Sequence, residues 1–360
     1  MQPTWIINCA GAAILLLGLL GCNFSKPSDR QAMQAALDRG VAYVQQHQLA
    51  NGEYPVLFLK RSDGQLSEGH QGFSPNVFGT GIILYSLALH PDFRASASAT
   101  RALDFLESQV QSNGTWIFYT PRSTRYSVFI PDVDDTAVCS LALGLYGRAL
   151  PDNVGVLMKN ALPDGSLHTW IYPEGFPVLD SYDNVTADEH FSIRTPDPVV
   201  NANAQAYLSS RHRPDPRISD YLNRVARAGT ALDDAIYYMH LTSVAYSYAK
   251  AVQCGAVELQ ESIELFGHQL HEQYTAQPGW ENDLQAALAL NVWLTMRRPP
   301  TVVQRTASEL MARQQSDGSW PAAIYFGSKR YPNRGWGSPS LTTAFAVEAL
   351  TRYLAYEAAQ

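Results

Sequence analysis

The sequence predicts an all-α fold, an (α/α)6 toroid of six outer and six inner helices. Three observations predict it. Amphipathic segments alternate along the chain with segments that are apolar nearly all round. The alternation recurs six times, at an imperfect interval of roughly 35–65 residues, a period that indicates arrays or closed rings. A Gln-x3-Gly-x-aromatic signature recurs where outer segments hand over to inner ones.

The outer helices are expected near 29–48, 99–110, 151–161, 216–228, 257–274 and 300–315. In "ATRALDFLESQV", Leu103, Leu106 and Val110 make one stripe, while Arg101, Asp104 and Glu107 occupy the opposite face. Leu259, Ile263, Phe266 and Leu270 repeat the pattern in "VELQESIELFGHQLHEQY". Such helices bury one side and wet the other. The inner helices are expected at 76–90, 134–147, 199–210, 235–252, 282–296 and 341–358. A helix that is apolar all round is buried on every side, and these are too short and too interrupted to span a bilayer. In a closed ring the N-termini of all six inner helices lie at one end. Strand signals are weak, and the aromatic, turn-rich stretches near 115–130, 168–195 and 322–336 read as long loops or short hairpins on that end.

The handover signature has a physical job. Gln48 to Gly52 to Tyr54, and Gln314 to Gly318 to Trp320, keep it fully. "QVQSNGTW" keeps Gly114 and Trp116 but has Val110 at the Gln position, and "LPDGSLHTW" keeps only Asp164-Gly165. Glycine permits a tight exit from the outer helix. The Gln amide can bond free backbone groups at helix ends, and the aromatic ring wedges between neighbouring hairpins.

Of the 360 residues 46% are hydrophobic and 16% charged, with a net charge of -7. This is enough apolar material for a large core, and the absence of a basic run argues against nucleic acid as a partner. The first residues differ in kind. "IINCAGAAILLLGLLGC" is apolar and ends in small residues. Leu19-Leu20-Gly21-Cys22 resembles the bacterial lipobox, which implies a signal peptide over 1–21, lipid attachment at Cys22, a tether over 22–30 and the toroid over 31–360. An uncleaved anchor is the alternative. Either way the implied location is the bacterial cell envelope, membrane-anchored and on the periplasmic or extracellular face. Cys139 reads as a small buried apolar side chain, and with Cys254 it makes no disulfide framework.

The chemistry is concentrated in "FIPDVDDTAVCSLALGLYG", residues 129–147, where three carboxylates fall within four positions ahead of a greasy run. Together, Asp132-Val133-Asp134-Asp135-Thr136-Ala137 and the handover repeats resemble the prenyltransferase/squalene cyclase-like superfamily, of squalene–hopene cyclase or class II terpene cyclase type. The resemblance covers roughly residues 30–358. It implies protonation-initiated cyclisation of a hydrophobic isoprenoid, with Asp134 as general acid and Asp132 and Asp135 as its flanking partners. It implies no metal and no cofactor. Three clustered carboxyls cannot all ionise cheaply, so one keeps its proton. A dry cavity excludes water that would quench a carbocation. Aromatic faces stabilise cations, and Phe78, Tyr85, Tyr207, Tyr237 and Tyr238 are candidates for the wall.

Other readings stay open. Asp and Thr are favoured helix caps, so the triplet can instead be one more capped inner-helix start, like those at Asn76, Asn201, Asn203, Asp233, Asp234, Asn282 and Asp283. Asp197, Asn201 and Asn203 stand at one such start. Asp233, Tyr237 and His240 fall at i, i+4 and i+7 of the fourth inner helix. Asn201, Asn203, Tyr237, His240 and Asp283 are therefore candidate substrate-binding residues. That inventory also suits an envelope glycan, bound without catalysis or processed by a toroid lyase or hydrolase, with Tyr or His as base and Arg194 on a uronate carboxylate. A zinc prenyltransferase needs Asp-x-Cys, but Cys139 lies four residues after Asp135. A thioester Gly-Cys-Gly-Glu-Gln run, a P-loop and a dinucleotide glycine fingerprint do not occur. Cavity character discriminates: a deep apolar pocket with Asp134 at its wall favours cyclisation, a shallow polar groove favours sugar, and a filled ring centre favours a non-catalytic protein.

Overall fold

A computed structural model of the protein describes residues 27–62, 65–172, 196–329 and 331–360. The expected signal segment, Cys22 and Arg194 lie outside the described residues. Among the described residues, twelve main helices alternate in the predicted order. The outer set is α1 (Pro27–Gln46), α3 (Ala97–Ser108), α5 (Val154–Met158), α7 (Pro216–Ala228), α9 (Gln260–Ala276) and α11 (Val303–Ala312). The inner set is α2 (Phe78–Leu87), α4 (Val133–Leu145), α6 (Pro198–Ser210), α8 (Leu241–Gln253), α10 (Asp283–Thr295) and α12 (Pro339–Ala359). Each inner helix packs on the next, α2 on α4 through to α12, and α12 returns to α2, which closes the ring. The outer helices α3, α7, α9 and α11 pack on their inner neighbours, and α1 lies against α12. Every residue of α2 is buried, as its unbroken apolar composition requires. Among the described residues no helix is long and apolar enough to cross a membrane.

The handover signature locks adjacent hairpins together. Gln48 donates to the carbonyls of Gly52 and of Ser98 in the next outer helix, 2.9 Å each, and accepts from Arg101 at 2.7 Å. Gln314 does the same across the closure, donating to the carbonyls of Gly318 and Ala36 and accepting from Arg39. Gly52 and Gly318 have φ of 91° and 90°, and a Cβ would stand 2.1 Å from the Arg101 carbonyl oxygen and 2.5 Å from that of Arg39. Only glycine tolerates both demands. The backbone N–H two residues on then reaches an inner helix: Tyr54 to Thr80, Trp116 to Thr136 and Trp320 to Thr343, at 3.0, 3.1 and 3.0 Å. In the degenerate copy Leu167 donates to Asn201 Oδ1 at 2.7 Å. Thr136, the fifth residue of the acid motif, is therefore a repeat lock.

Two regions depart from expectation. The fourth inner helix starts at Leu241, not at 235. Asp233 belongs to a separate short helix (Ala231–Asp234), and Tyr237 and His240 precede α8, so the three do not share a helical face. Residues 236–237 are held out of the helix because Asp197 accepts both their amides and the Tyr237 carbonyl accepts from Gly327 at 2.8 Å. The second departure is a four-stranded antiparallel sheet of order β2-β1-β4-β3, built from β1 (Leu57–Ser62), β2 (Gln65–Phe73), β3 (Phe326–Gly327) and β4 (Arg334–Gly337). It joins the first and last handovers through Phe58↔Trp336 and Phe326↔Trp336, at the end of the ring where the inner helices begin.

Candidate active site

The three carboxylates stand at the N-terminus of α4 and have three different environments. Asp132 is the helix cap: its carboxylate accepts from the Asp135 amide at 2.6 Å. Its backbone is held from both sides, by Trp116 and, through Val133, by Thr169. Asp134 takes no capping bond. Its Oδ2 accepts from the Tyr238 hydroxyl at 2.7 Å, and its Oδ1 accepts from the Asn203 amide of α6. Asp135 lies deepest, 1% exposed, and its Oδ2 has no donor among the described residues.

Burial pushes all three carboxyls up from their ordinary range. Asp132 rises to about 7, chiefly by burial, with the Asp134 charge adding and hydrogen bonds to Asp135 opposing. Asp135 rises well above its usual value through burial, the neighbouring Asp132 charge and a hydrogen bond to the Asp132 carboxyl. Burial and the mutual charge of the two carboxyls both oppose ionising them together. Asp134 is raised by burial, against the hydrogen bonds from Asn203 and Tyr238 and the charge of Lys250. Lys250 is buried on α8 between the rings of Tyr85 and Tyr246, 5.4 and 5.9 Å from their centroids, and burial brings it down to about 8.

The carboxyls open on a cavity of about 230 Å³ at the end of the ring where the inner helices start. Aromatic groups make its wall. Phe326 and Trp336 stack at 5.5 Å and 11°, Phe78 meets Phe326 edge-on at 5.1 Å, and Phe118, Trp170 and Tyr238 complete much of the enclosure. Of the aromatics suggested by the inner helices, Phe78, Tyr237 and Tyr238 line the cavity. Tyr85 and Tyr207 do not: their hydroxyls bond Gln253 and Asn153. The remaining wall comes from the turn-rich stretches, whose aromatics were the only signal the sequence offered.

The candidate binding residues separate. Asn203 touches Asp134, and Tyr237 lines the cavity. Asn201 instead clamps the Leu167 backbone with both ends of its amide, so it serves the repeat lock. Asp283 pairs with Arg313 at 3.3 Å, and His240 faces Gln285 at 3.4 Å. His240, Arg313 and Gln285 line a different, polar hollow of about 480 Å³ beside Trp280. Asp197, noted in the sequence only as part of a helix start, has a structural role. It caps α6 through Val199 and holds the Ile236 and Tyr237 amides, which sets Tyr238 against Asp134.

No protein-family model matches the chain, and no curated protein does. Solved structures do. The type II terpene cyclase MstE from Scytonema is 15% identical, with a TM-score of 0.65 over 91% of this chain and 99% of that one. A variant of MstE in complex with geranylgeranyl dihydroxybenzoate, its substrate, superposes with a TM-score of 0.64 at 15% identity, with the same coverage. The ent-copalyl diphosphate synthase from Streptomyces platensis, 18% identical, superposes with a TM-score of 0.52 over 77% of this chain and 50% of that one. An unsaturated glucuronyl hydrolase specific for heparin gives 0.51 at 13% identity, over 91% and 97%. At these identities the likeness is one of fold: the chain has the helical toroid fold that these structures share.

Proposed function

We propose that the protein is a protonation-initiated isoprenoid cyclase with Asp134 as general acid. The observation that carries this reading is a buried carboxyl cluster, its pKa values pushed up by burial, facing an aromatic-walled cavity. Asp134 transfers its proton to the π pair of an alkene, which leaves the positive charge on the more substituted carbon. The next alkene attacks that carbon and closes a ring. Loss of a proton from the final cation to water at the cavity mouth restores neutrality, so product and substrate are isomers. Tyr238 and Asn203 stabilise the Asp134 carboxylate left behind, and the Asp132–Asp135 pair stores a proton beside it. The faces of Phe78, Phe326 and Trp336 stabilise the travelling cation. The wall suits an isoprenoid better than a glycan, which needs polar partners along its length.

The lipobox-like Leu19-Leu20-Gly21-Cys22 supports anchoring at the bacterial envelope, where isoprenoids concentrate in the lipid phase. Labelled-lipid incorporation that disappears in Cys22→Ala checks that part. The activity is tested by incubating the purified mature protein with squalene and shorter linear polyprenyl compounds and examining extracts by gas chromatography–mass spectrometry. Cyclic isomers from the wild type and none from Asp134→Asn are expected. The absence of product from every linear isoprenoid would overturn the reading.

A further inference from the structure

The handovers do not all lock. At Gly52, Gly114, Gly165 and Gly318 a Cβ would stand between 2.1 and 2.6 Å from the next outer helix or the residues leading into it. At Gly279, in the handover from α9 to α10, it would meet no atom within 4 Å. The sequence there has also lost the signature: Thr275 stands where Gln48 and Gln314 do, and Trp280 follows the glycine directly. The indole N–H of Trp116 donates to the Leu106 carbonyl at 2.8 Å and that of Trp320 to the Leu310 carbonyl at 2.7 Å. That of Trp280 has no acceptor among the described residues. Where the lock is missing stands the polar hollow of about 480 Å³, a size typical of small-molecule sites. It shares no lining residue with the aromatic-walled cavity.

The charges around this hollow are paired. Glu281 meets Arg61 of β1, and Arg313 meets Asp283 at 3.3 Å. Burial lowers the His240 pKa, which keeps the imidazole neutral near neutrality. What remains is hydrogen-bonding capacity. Gln285 reaches His240 and Glu281. Gln273 and Gln277 are exposed on the rim, and their side-chain amides bond no group among the described residues. An anion entering here meets the Glu281 carboxylate, and a cation meets the Arg313 guanidinium. A hydrocarbon strips water from amides and returns no hydrogen bond. A sugar fits all of these: each hydroxyl both donates and accepts, as an amide does, and its C–H face packs against an aromatic ring such as that of Trp280. We propose that this hollow binds a neutral sugar unit of a glycan, at a site separate from the acid cluster and independent of the cyclase chemistry. It binds without cleaving, because hydrolysis needs two free carboxyls and both Glu281 and Asp283 are held by arginines.

The test applies the mature protein to an array of oligosaccharides: neutral ones built from glucose, galactose, mannose or N-acetylglucosamine, and acidic ones carrying uronate. The strongest ligand is then titrated by isothermal calorimetry. Retention of neutral oligosaccharides in preference to acidic ones is expected. The double variant Gln273→Ala with Gln277→Ala should bind the titrated ligand about tenfold more weakly, the loss expected for two hydrogen bonds. Both side chains are exposed and unbonded, so the variant keeps the fold, which circular dichroism checks. Retention of no neutral oligosaccharide overturns the site, as does a preference for the acidic ones. An affinity that ignores the double variant places the sugar elsewhere on the molecule and overturns it too.

Discussion

The Tyr238 hydroxyl, set on the non-helical segment just ahead of α8, donates to Asp134 Oδ2 at 2.7 Å. That bond favours the ionised carboxylate, whereas burial favours the neutral acid. The two influences act at different moments. Burial keeps the proton available before transfer, and the tyrosine steadies the anion after it.

Tyr238→Phe removes the second influence alone. Turnover should fall about 10- to 100-fold, the loss expected for a hydrogen bond to a developing charge. The pH at which activity is lost should move upward, because the charged form of Asp134 has lost a partner. A pH–rate profile of the variant against wild type checks both expectations.

Lys250 acts on the same acid from beneath. Its charge lowers the Asp134 pKa against the effect of burial. Lys250→Met fills the same space without the charge, so Asp134 should hold its proton to higher pH and the alkaline limb of the profile should again move up. Lys250 lies over the rings of Tyr85 and Tyr246 and within reach of the Asp134 and Glu348 charges, so removing it strips buried carboxylates of a counter-charge and should lower the melting temperature. Calorimetry alongside the pH profile separates the two effects.

The acid cluster also governs stability. Asp132 rises from the ordinary 3.8 to about 7, and Asp135 is raised well above its ordinary value. The folded state therefore binds protons more tightly than the unfolded chain. That stabilisation is fully present below the ordinary carboxylate value and is lost as pH rises through the folded values. The melting temperature should decline between about pH 4 and pH 8, and Asp135→Asn, which stays neutral, should flatten the decline.

Asn201 and Asn203 sit two residues apart and should behave oppositely. Asn201→Ala breaks a lock on the Leu167 backbone, so it should cost about 1–3 kcal/mol in denaturant unfolding while KM is unchanged. Asn203→Ala removes a donor to Asp134, so its main effect should be on kcat. A change of KM in Asn201→Ala would return that residue to the binding site.

Gly52→Ala forces a Cβ against the Arg101 carbonyl oxygen in a left-handed backbone position. Destabilisation should exceed about 1 kcal/mol, visible as a lower urea midpoint with no change in kcat.

The layered helices were legible because burial on one side or on all sides writes a period into the sequence. Within a few residues, the α3 stripe of Leu103 and Leu106 and the unbroken apolarity of α2 set the helix limits. The acid cluster was legible because three carboxylates beside a greasy run have no ordinary surface use. The β1–β2 ribbon was not legible. "LFLKRS" and "QLSEGHQGF" carry no clean alternation, and β1 also pairs with β4, more than two hundred residues away. The wall was legible only as aromatic loops, since nothing local tells Trp170 or Trp336 which cavity to face. His240 and Asp283 stand at inner-helix starts as expected, yet His240 lines another hollow and Asp283 pairs with Arg313.

Ring closure has a consequence for how the molecule fails. A linear solenoid can lose a terminal repeat and keep the rest, because each unit leans only on its neighbours. Here the last helix pair leans on the first, through α12 against α2 and Gln314 on the Ala36 carbonyl. Deleting either end bares two greasy flanks at once. Damage at one seam is therefore felt around the whole circumference, and partial unfolding of this protein should be rare and all-or-none collapse common.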